Sequence, residues 1–345
     1  MRKKWLTLLL TIPLLAQSPA AKTGLKLSDF RVHDPCILAD QASRTYYLYT
    51  AIGAKATGQN RAGVVTYKSK DLESWEGPHV VFTVPDGLWA NPAHGVWAPE
   101  VHAYRGKYYL FATLLNNDQV IDKPPASWRN TTRRATQIFL SDSPEGPFVR
   151  LGDKPVAPED FMTLDGTLFV EDGVPYMVYA HEWVQLIDGT MEAIPLKEDL
   201  SAAAGEPFYL FKASDAPWLL DNQRVSKEPR HYVTDGPFFY RTRNGKLVMI
   251  WSSWKSDPSE AKRLKVPPQR QTVYMETLAY SLSGKLRGPW RQAEPLLSDD
   301  TGHGMIFRTF DNRLMMVAHQ PTMSPDSRAR LVELEDTGDS IRVKR

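Results

Sequence analysis

The chain has 345 residues, a formal charge of +2 and one cysteine. No basic run is dense enough to neutralise a phosphate backbone, which argues against a nucleic-acid partner, and one cysteine excludes an internal disulfide. Ten Trp, fourteen Tyr and thirteen Phe are either platforms for sugar rings or the packing of a large all-β core.

Residues 1–21 read as a secretory signal peptide. Arg2, Lys3 and Lys4 form a basic start, "WLTLLLTIPLL" is an apolar run too short to span a bilayer, and "AQSPAAK" offers small residues for cleavage. An uncleaved anchor is the alternative. Cleavage removes three cations, so 2 − 3 = −1 for the mature chain, expected to be periplasmic or secreted with no membrane contact of its own. Cys36 lies beyond this leader and reads as a small apolar residue.

From residue 22 onward, short β-rich runs broken by Gly, Pro, Asn and Asp fill the chain, and helical periodicity is nearly absent. Five hairpin-like units recur: "HDPCILADQASRTYYLYTA", "APEVHAYRGKYYLFATL", "LDGTLFVEDGVPYMVYAHEW", "TDGPFFYRTRNGKLVMIWSSW" and "GHGMIFRTFDNRLMMVAHQ". Their lead residues, Asp34, Glu100, Asp165, Asp235 and His303, lie 66, 65, 70 and 68 residues apart. Further hairpins between the units make four strands per repeat. This spacing predicts one domain, residues 22–345, folded as a five-bladed β-propeller.

In a propeller the first strand of each blade lines the central channel, so the lead residues converge on one mouth. The second strands return to the same face, bringing His181, Glu182, Trp183, Trp254 and His319 near it, and "NPAHGVW" adds His94 and Trp97. With His33, these are the candidate substrate-binding residues, and Trp89 and Trp218 are further stacking surfaces. Glycoside hydrolysis needs one protonated and one ionised carboxyl, and a third nearby raises the pKa of the acid. Asp34, Asp165 and Asp235 can supply that set. Glu100 is expected to be structural. Asp before Pro or Gly is also a common turn residue, so the candidacy rests on their equivalent places.

These motifs resemble glycoside hydrolase family 43, the five-bladed arabinofuranosidases, xylosidases and endo-arabinanases that act with inversion. "HDPCIL" is similar to its first-blade motif, "GVWAPEVHAYRGKYYLFAT" to its second, "LDGTLFVEDGVPYMVY" to its third and "GHGMIF" to its last. The resemblance implies Asp34 as general base, Asp165 as the residue tuning the acid, and His303 beside a central cation through water. It implies no required cofactor, a structural calcium as an option, and a carbohydrate substrate. The fourth-blade motif departs: the family's acid is a Glu before a small residue and Pro, whereas "TDGPFFY" places Asp235 there, one methylene shorter. Three readings stay open: Asp235 as acid, Glu182 as acid, or sugar binding without turnover. A related phosphorylase is a further alternative, although no Arg or Lys stands among the lead residues.

Overall fold

In a computed structural model, described over residues 19–345 except 123–129, 220–230, 267–271 and 324, five four-stranded antiparallel units form a ring, the five-bladed propeller. Most of the expected leader lies outside the described residues. Among the described residues no helix is long and apolar enough to cross a membrane.

Blade I has its inner strand at Cys36–Asp40, followed by Thr45–Ile52, Gly63–Ser69 and Trp75–Thr83, with Lys22–Leu25 added at its outer edge. Blade II runs Val96–Tyr104, Lys107–Asp122, Thr131–Ser141 and Val149–Arg150. Blade III runs Thr163–Glu171, Val174–His181, Thr190–Pro195 and Phe208–Lys212. Blade IV runs Asp235–Arg241, Leu247–Ser256, Thr272–Ser281 and Trp290–Gln292. Blade V runs Gly302–Arg308, Leu314–Gln320, Arg328–Asp336 and Ile341–Val343.

Each blade is covered on both faces by its neighbours. The second strands therefore read as near-continuous apolar runs, "TYYLYTAI" and "LMMVAHQ" among them, and are buried almost throughout. The core forms as clusters between blades: Phe111 with Met177 and Tyr179 joins II to III, and Ile250 with Met316 and Val332 joins IV to V. A fully buried side chain of this kind contributes about 1.5–3 kcal/mol. Tyr47, Tyr109 and Phe139 are buried and Tyr280 is partly buried, and Cys36 is a buried free thiol whose Sγ accepts the Val101 N–H at 3.3 Å.

The segment 116–134 is partly strand. The second and third strands of blade II extend as a long hairpin, Leu115 pairing with Arg134 and Asn116 with Arg133. Val120, Ile121, Thr131 and Thr132 are the strand-favouring residues in that extension.

A kink marks each inner strand at the site face. Asp34, Ala98, Asp165, Gly236 and His303 all adopt positive φ, between 41° and 57°. In blades II to V the pairing with the second strand slips at the same place. These five positions are the true equivalents. Glu100 lies two residues beyond its blade's kink and Asp235 one residue before its own, which corrects the repeat alignment drawn from sequence. Gly236 is required at its kink, because a Cβ there would lie 3.0 Å from the His303 ring.

A kink withdraws its N–H from the ladder, and the preceding blade accepts it. Asp34 N donates to His319 Nδ1 (3.1 Å), Asp165 N to Thr113 Oγ1 (2.9 Å), Gly236 N to Asp165 Oδ2 (3.0 Å) and His303 N to Ser252 Oγ (2.7 Å). Third strands add a second clasp: Gly166 N donates to Thr136 Oγ1 (3.0 Å) and Gly304 N to Glu276 Oε2 (2.7 Å). Between blades V and I, His319 thereby helps close the ring, with Val32 N to Ser327 O at 3.0 Å and Phe310 N to the Tyr46 hydroxyl at 2.9 Å.

Replacing Thr113 by Val keeps the shape and leaves the Asp165 N–H buried without its acceptor. It should cost about 1–3 kcal/mol in urea unfolding. An unchanged unfolding midpoint would show that the clasp adds nothing to stability.

Candidate active site

The kinks bring Asp34 and Asp165 to the channel mouth with Asp235 beside them. Asp34 is ringed by imidazoles: His33 Nδ1 lies 2.9 Å from Oδ2, His303 Nδ1 3.2 Å from Oδ1 and His319 Nδ1 3.3 Å from Oδ1. His319 Nδ1 accepts the Asp34 N–H, which assigns its proton to Nε2, 2.7 Å from Thr322 Oγ1. Burial alone would raise the Asp34 carboxyl, but His303, His33 and His319 outweigh it and hold it well below the usual carboxylate range. His33 is raised: burial acts against its charge, and Asp34 prevails. Burial pushes His303 and His319 below the ordinary imidazole value.

The other two aspartates go the opposite way. Burial, then the charges of Asp235 and Asp34, push Asp165 well up. Asp235 is pushed up to about 7, first by burial and then by Asp34, with Glu182 adding and the Tyr274 hydroxyl and His33 opposing. Three carboxyls in a dry mouth cannot all ionise. The site thus holds one ionised aspartate and two protonated at mildly acidic pH, the division that glycosidic acid–base chemistry needs.

Asp165 Oδ2 accepts the N–H of Gly236, the residue after Asp235, and lies 3.9 Å from His303 Nδ1. A direct tie therefore runs from Asp165 to the backbone carrying Asp235. Glu182 is buried at the start of the short helix Trp183–Leu186, and Arg134 Nη1 pairs with its Oε1 at 3.2 Å. A carboxylate held by a guanidinium is a poor proton source, so the geometry favours Asp235 over Glu182 as acid, with Glu182 helping to keep Asp235 protonated.

The remaining candidates divide. Trp97 is exposed under the Arg134 guanidinium, 5.0 Å from its ring centre. Trp183 stacks on His231 at 4.0 Å, and Trp254 packs at 4.7 Å from Tyr274. Trp183 and Trp254 are partly exposed. His94 is tied to the long hairpin, its Nδ1 accepting the Asn117 N–H at 3.0 Å and its Nε2 lying 3.7 Å from Asp118. His181 is buried with its nitrogens on Glu192 and Gln185, at 3.0 and 2.9 Å, and His319 is committed to Asp34 and Thr322. Both rings brace the site from within, with no nitrogen left for a sugar hydroxyl. Trp218 packs on Trp251 with Nε1 on the Ala293 carbonyl, and Trp89 bonds Gln137. Glu100 pairs with His102 at 2.9 Å in the channel, the expected structural use.

Sequence reasoning missed Arg134, Tyr274 and Glu276. Arg134 and Tyr274 reach the mouth from third strands, and the repeat pattern carried no signal there. Glu276, its carboxyl raised to about 8 by burial, was masked by its ordinary strand context "VYMETLAY".

As to a cation, the described residues with ligand spacing are His33, Asp34 and His319. Both nitrogens of His319 are already engaged, by the Asp34 N–H and by Thr322 Oγ1, so this trio does not fit a resident metal.

A five-bladed propeller with three aspartates gathered at its channel mouth has the parts that an O-glycoside hydrolase needs. The chain belongs to the glycosyl hydrolases family 43, whose family model matches residues 27–336. It is 31% identical over 101 residues to the extracellular endo-α-(1→5)-L-arabinanase 1 of Bacillus subtilis (strain 168), a match covering 28% of this chain and 29% of that protein. A solved endo-arabinase from Bacteroides thetaiotaomicron VPI-5482 superposes with a TM-score of 0.74 at 35% identity, covering 91% of this chain and 98% of that one. An α-L-arabinofuranosidase from Lactobacillus brevis, at 15% identity and a TM-score of 0.66 over 93% of this chain and all (100%) of that one, shares the fold.

Asp235→Asn should reduce turnover of an oligosaccharide by about 10²–10⁴-fold, the usual worth of a general acid. Glu182→Gln should cost less than about tenfold on the same substrate. Steady-state kinetics of both variants decide between them, and the reverse order would make Glu182 the donor.

Proposed function

We propose that the chain hydrolyses α-L-arabinofuranosyl linkages of arabinan-type polysaccharide or its oligosaccharides, by single displacement with inversion. The observation that carries this reading is the arrangement at the channel mouth: Asp34 lies within 2.9–3.3 Å of three imidazoles, and Asp165 is tied to the Gly236 N–H beside Asp235, whose carboxyl burial and Asp34 push up. The endo-arabinase and endo-arabinanase similarities support the sugar, and the B. subtilis relative being named extracellular supports an exported protein.

In this mechanism Asp34 takes a proton from water as the water oxygen bonds to the anomeric carbon. The bond from that carbon to the leaving oxygen breaks, and the leaving oxygen takes the proton of Asp235. Asp34 ends protonated and Asp235 ionised, and exchange with solvent resets both. Asp165 holds the backbone beside Asp235 through the Gly236 N–H, while burial, then Asp34 and Glu182, keep the acid's pKa high. Exposed Trp97 and the half-buried Trp183 and Trp254 offer faces to neighbouring sugar rings. A structural cation in the channel, reached through water from His303, belongs to the same proposal: burial lowers the ring's pKa, and it feels the charges of Asp34 and Glu100. No step is routed through it.

Asp34→Asn should abolish hydrolysis of arabino-oligosaccharides, and proton NMR of the wild-type reaction should show the β-anomer first from an α-linkage. An α-anomer appearing first would sink the single displacement. The base is ionised down to low pH and the acid loses its proton near 7. kcat/KM should therefore hold through mildly acidic pH and fall above about pH 7. An alkaline limb beyond about pH 9 would count against Asp235 as the acid.

A further inference from the structure

We propose that Tyr274 is the positioning residue that lets an aspartate serve where the family's acid is a glutamate: its hydroxyl anchors Oδ2 of Asp235 and leaves Oδ1 for the leaving oxygen. This inference rests on the hydrolase reading above and assigns a role to a residue outside the carboxylate set.

The Tyr274 hydroxyl donates to Asp235 Oδ2 at 3.1 Å. Among the described residues this is the one side-chain hydrogen bond recorded for the Asp235 carboxyl, so the direction of that carboxyl depends on it. The ring is itself tightly held. It is 3% exposed, its backbone N–H donates to Asp300 Oδ1 at 3.2 Å, and Trp254 packs on it at 4.7 Å. His319 lies nearly parallel to it at 5.7 Å and stacks in turn on His33 at 4.2 Å. A Cβ at position 302 would meet the Tyr274 ring at 2.4 Å, so the glycine at the head of blade V makes room for it. The tyrosine thus joins one continuous row of rings, Trp254–Tyr274–His319–His33, linking the acid on blade IV to the base on blade I.

A side chain one methylene shorter reaches less far and has fewer rotamers with which to find its target. Anchoring one oxygen restores the aim, because a misplacement of about 1 Å can cost about a hundredfold. The same bond gains strength as the proton leaves, since a charged acceptor binds a hydroxyl more tightly than a neutral one. Tyr274 does not compete as proton donor: burial, then Asp235, Asp34, Asp165 and Glu276, push its hydroxyl well above the usual phenol range. The charged and titratable groups around Asp235 are Asp34 and His33 from blade I, Asp165 and Glu182 from blade III, and Tyr274 from its own blade.

The test is Tyr274→Phe, which removes one oxygen and keeps the ring. On arabino-oligosaccharide, whose leaving alcohol needs a proton, kcat should fall about 10–100-fold with KM within about twofold of wild type. On an aryl arabinofuranoside with an acidic nitrophenol leaving group, which departs without help, the loss should stay under about threefold. The alkaline limb should also move upward, because the lost bond favoured the ionised form of Asp235. Equal losses on both substrates with an unmoved limb would reduce Tyr274 to packing and overturn the proposal. Wild-type kinetics on both substrates would overturn it while leaving the Asp34 and Asp235 assignments intact. Full activity in Asp235→Asn would remove both the proposal and the acid assignment beneath it.

Discussion

A buried N–H at a kinked strand start must find an acceptor outside its own sheet, and the rest of this molecule is arranged around meeting that need. Asp34, Asp165, Gly236 and His303 each leave the ladder in a left-handed conformation, and each is received by the blade before it. The blades are thereby fixed relative to one another at the channel mouth, where the chemistry is. Fold closure and site geometry are the same set of bonds: His319, which helps seal blade V to blade I, is also in contact with Asp34.

The kinks also concentrate charge. Several carboxyls brought out of water cannot share one ionisation state, and the imidazoles decide which of them carries the charge. His33, His303 and His319 surround Asp34, whereas for Asp165 and Asp235 burial and neighbouring carboxylates outweigh their hydrogen-bond donors. Acid and base are therefore told apart by their neighbours, since all three are the same amino acid. Glu182 fits the same logic. Paired with Arg134, it holds negative charge near Asp235 and keeps that proton in place.

In blade IV an aspartate stands where the family's motif carries a glutamate, and its surroundings differ accordingly. The kink falls at Gly236, directly after Asp235, so the acid leaves the strand at a different register from Asp34 and Asp165. A tyrosine from the third strand fills the space around it, and a glycine across the blade boundary gives that ring room. Changes on three strands are thus coupled through one carboxyl.

Much of this architecture was legible in the sequence, because its causes are local. The return of a polar lead residue, an apolar strand, a turn and a second apolar strand announced five blades, since turn chemistry and strand periodicity act within a few residues. The same pattern placed Asp34, Asp165 and His303 at equivalent strand starts, and missed by one or two residues at Asp235 and Glu100, where the kink is carried by a neighbour instead. What only the tertiary structure decided is which groups meet across blades. Asp34 and His319 are 285 residues apart, Asp165 and Gly236 are 71, and Asp235 and Tyr274 sit on strands that do not pair with each other. Protonation follows from those meetings, because desolvation and the charge a few ångströms away set a carboxyl's proton affinity, and neither is a property of the residue's place in the chain.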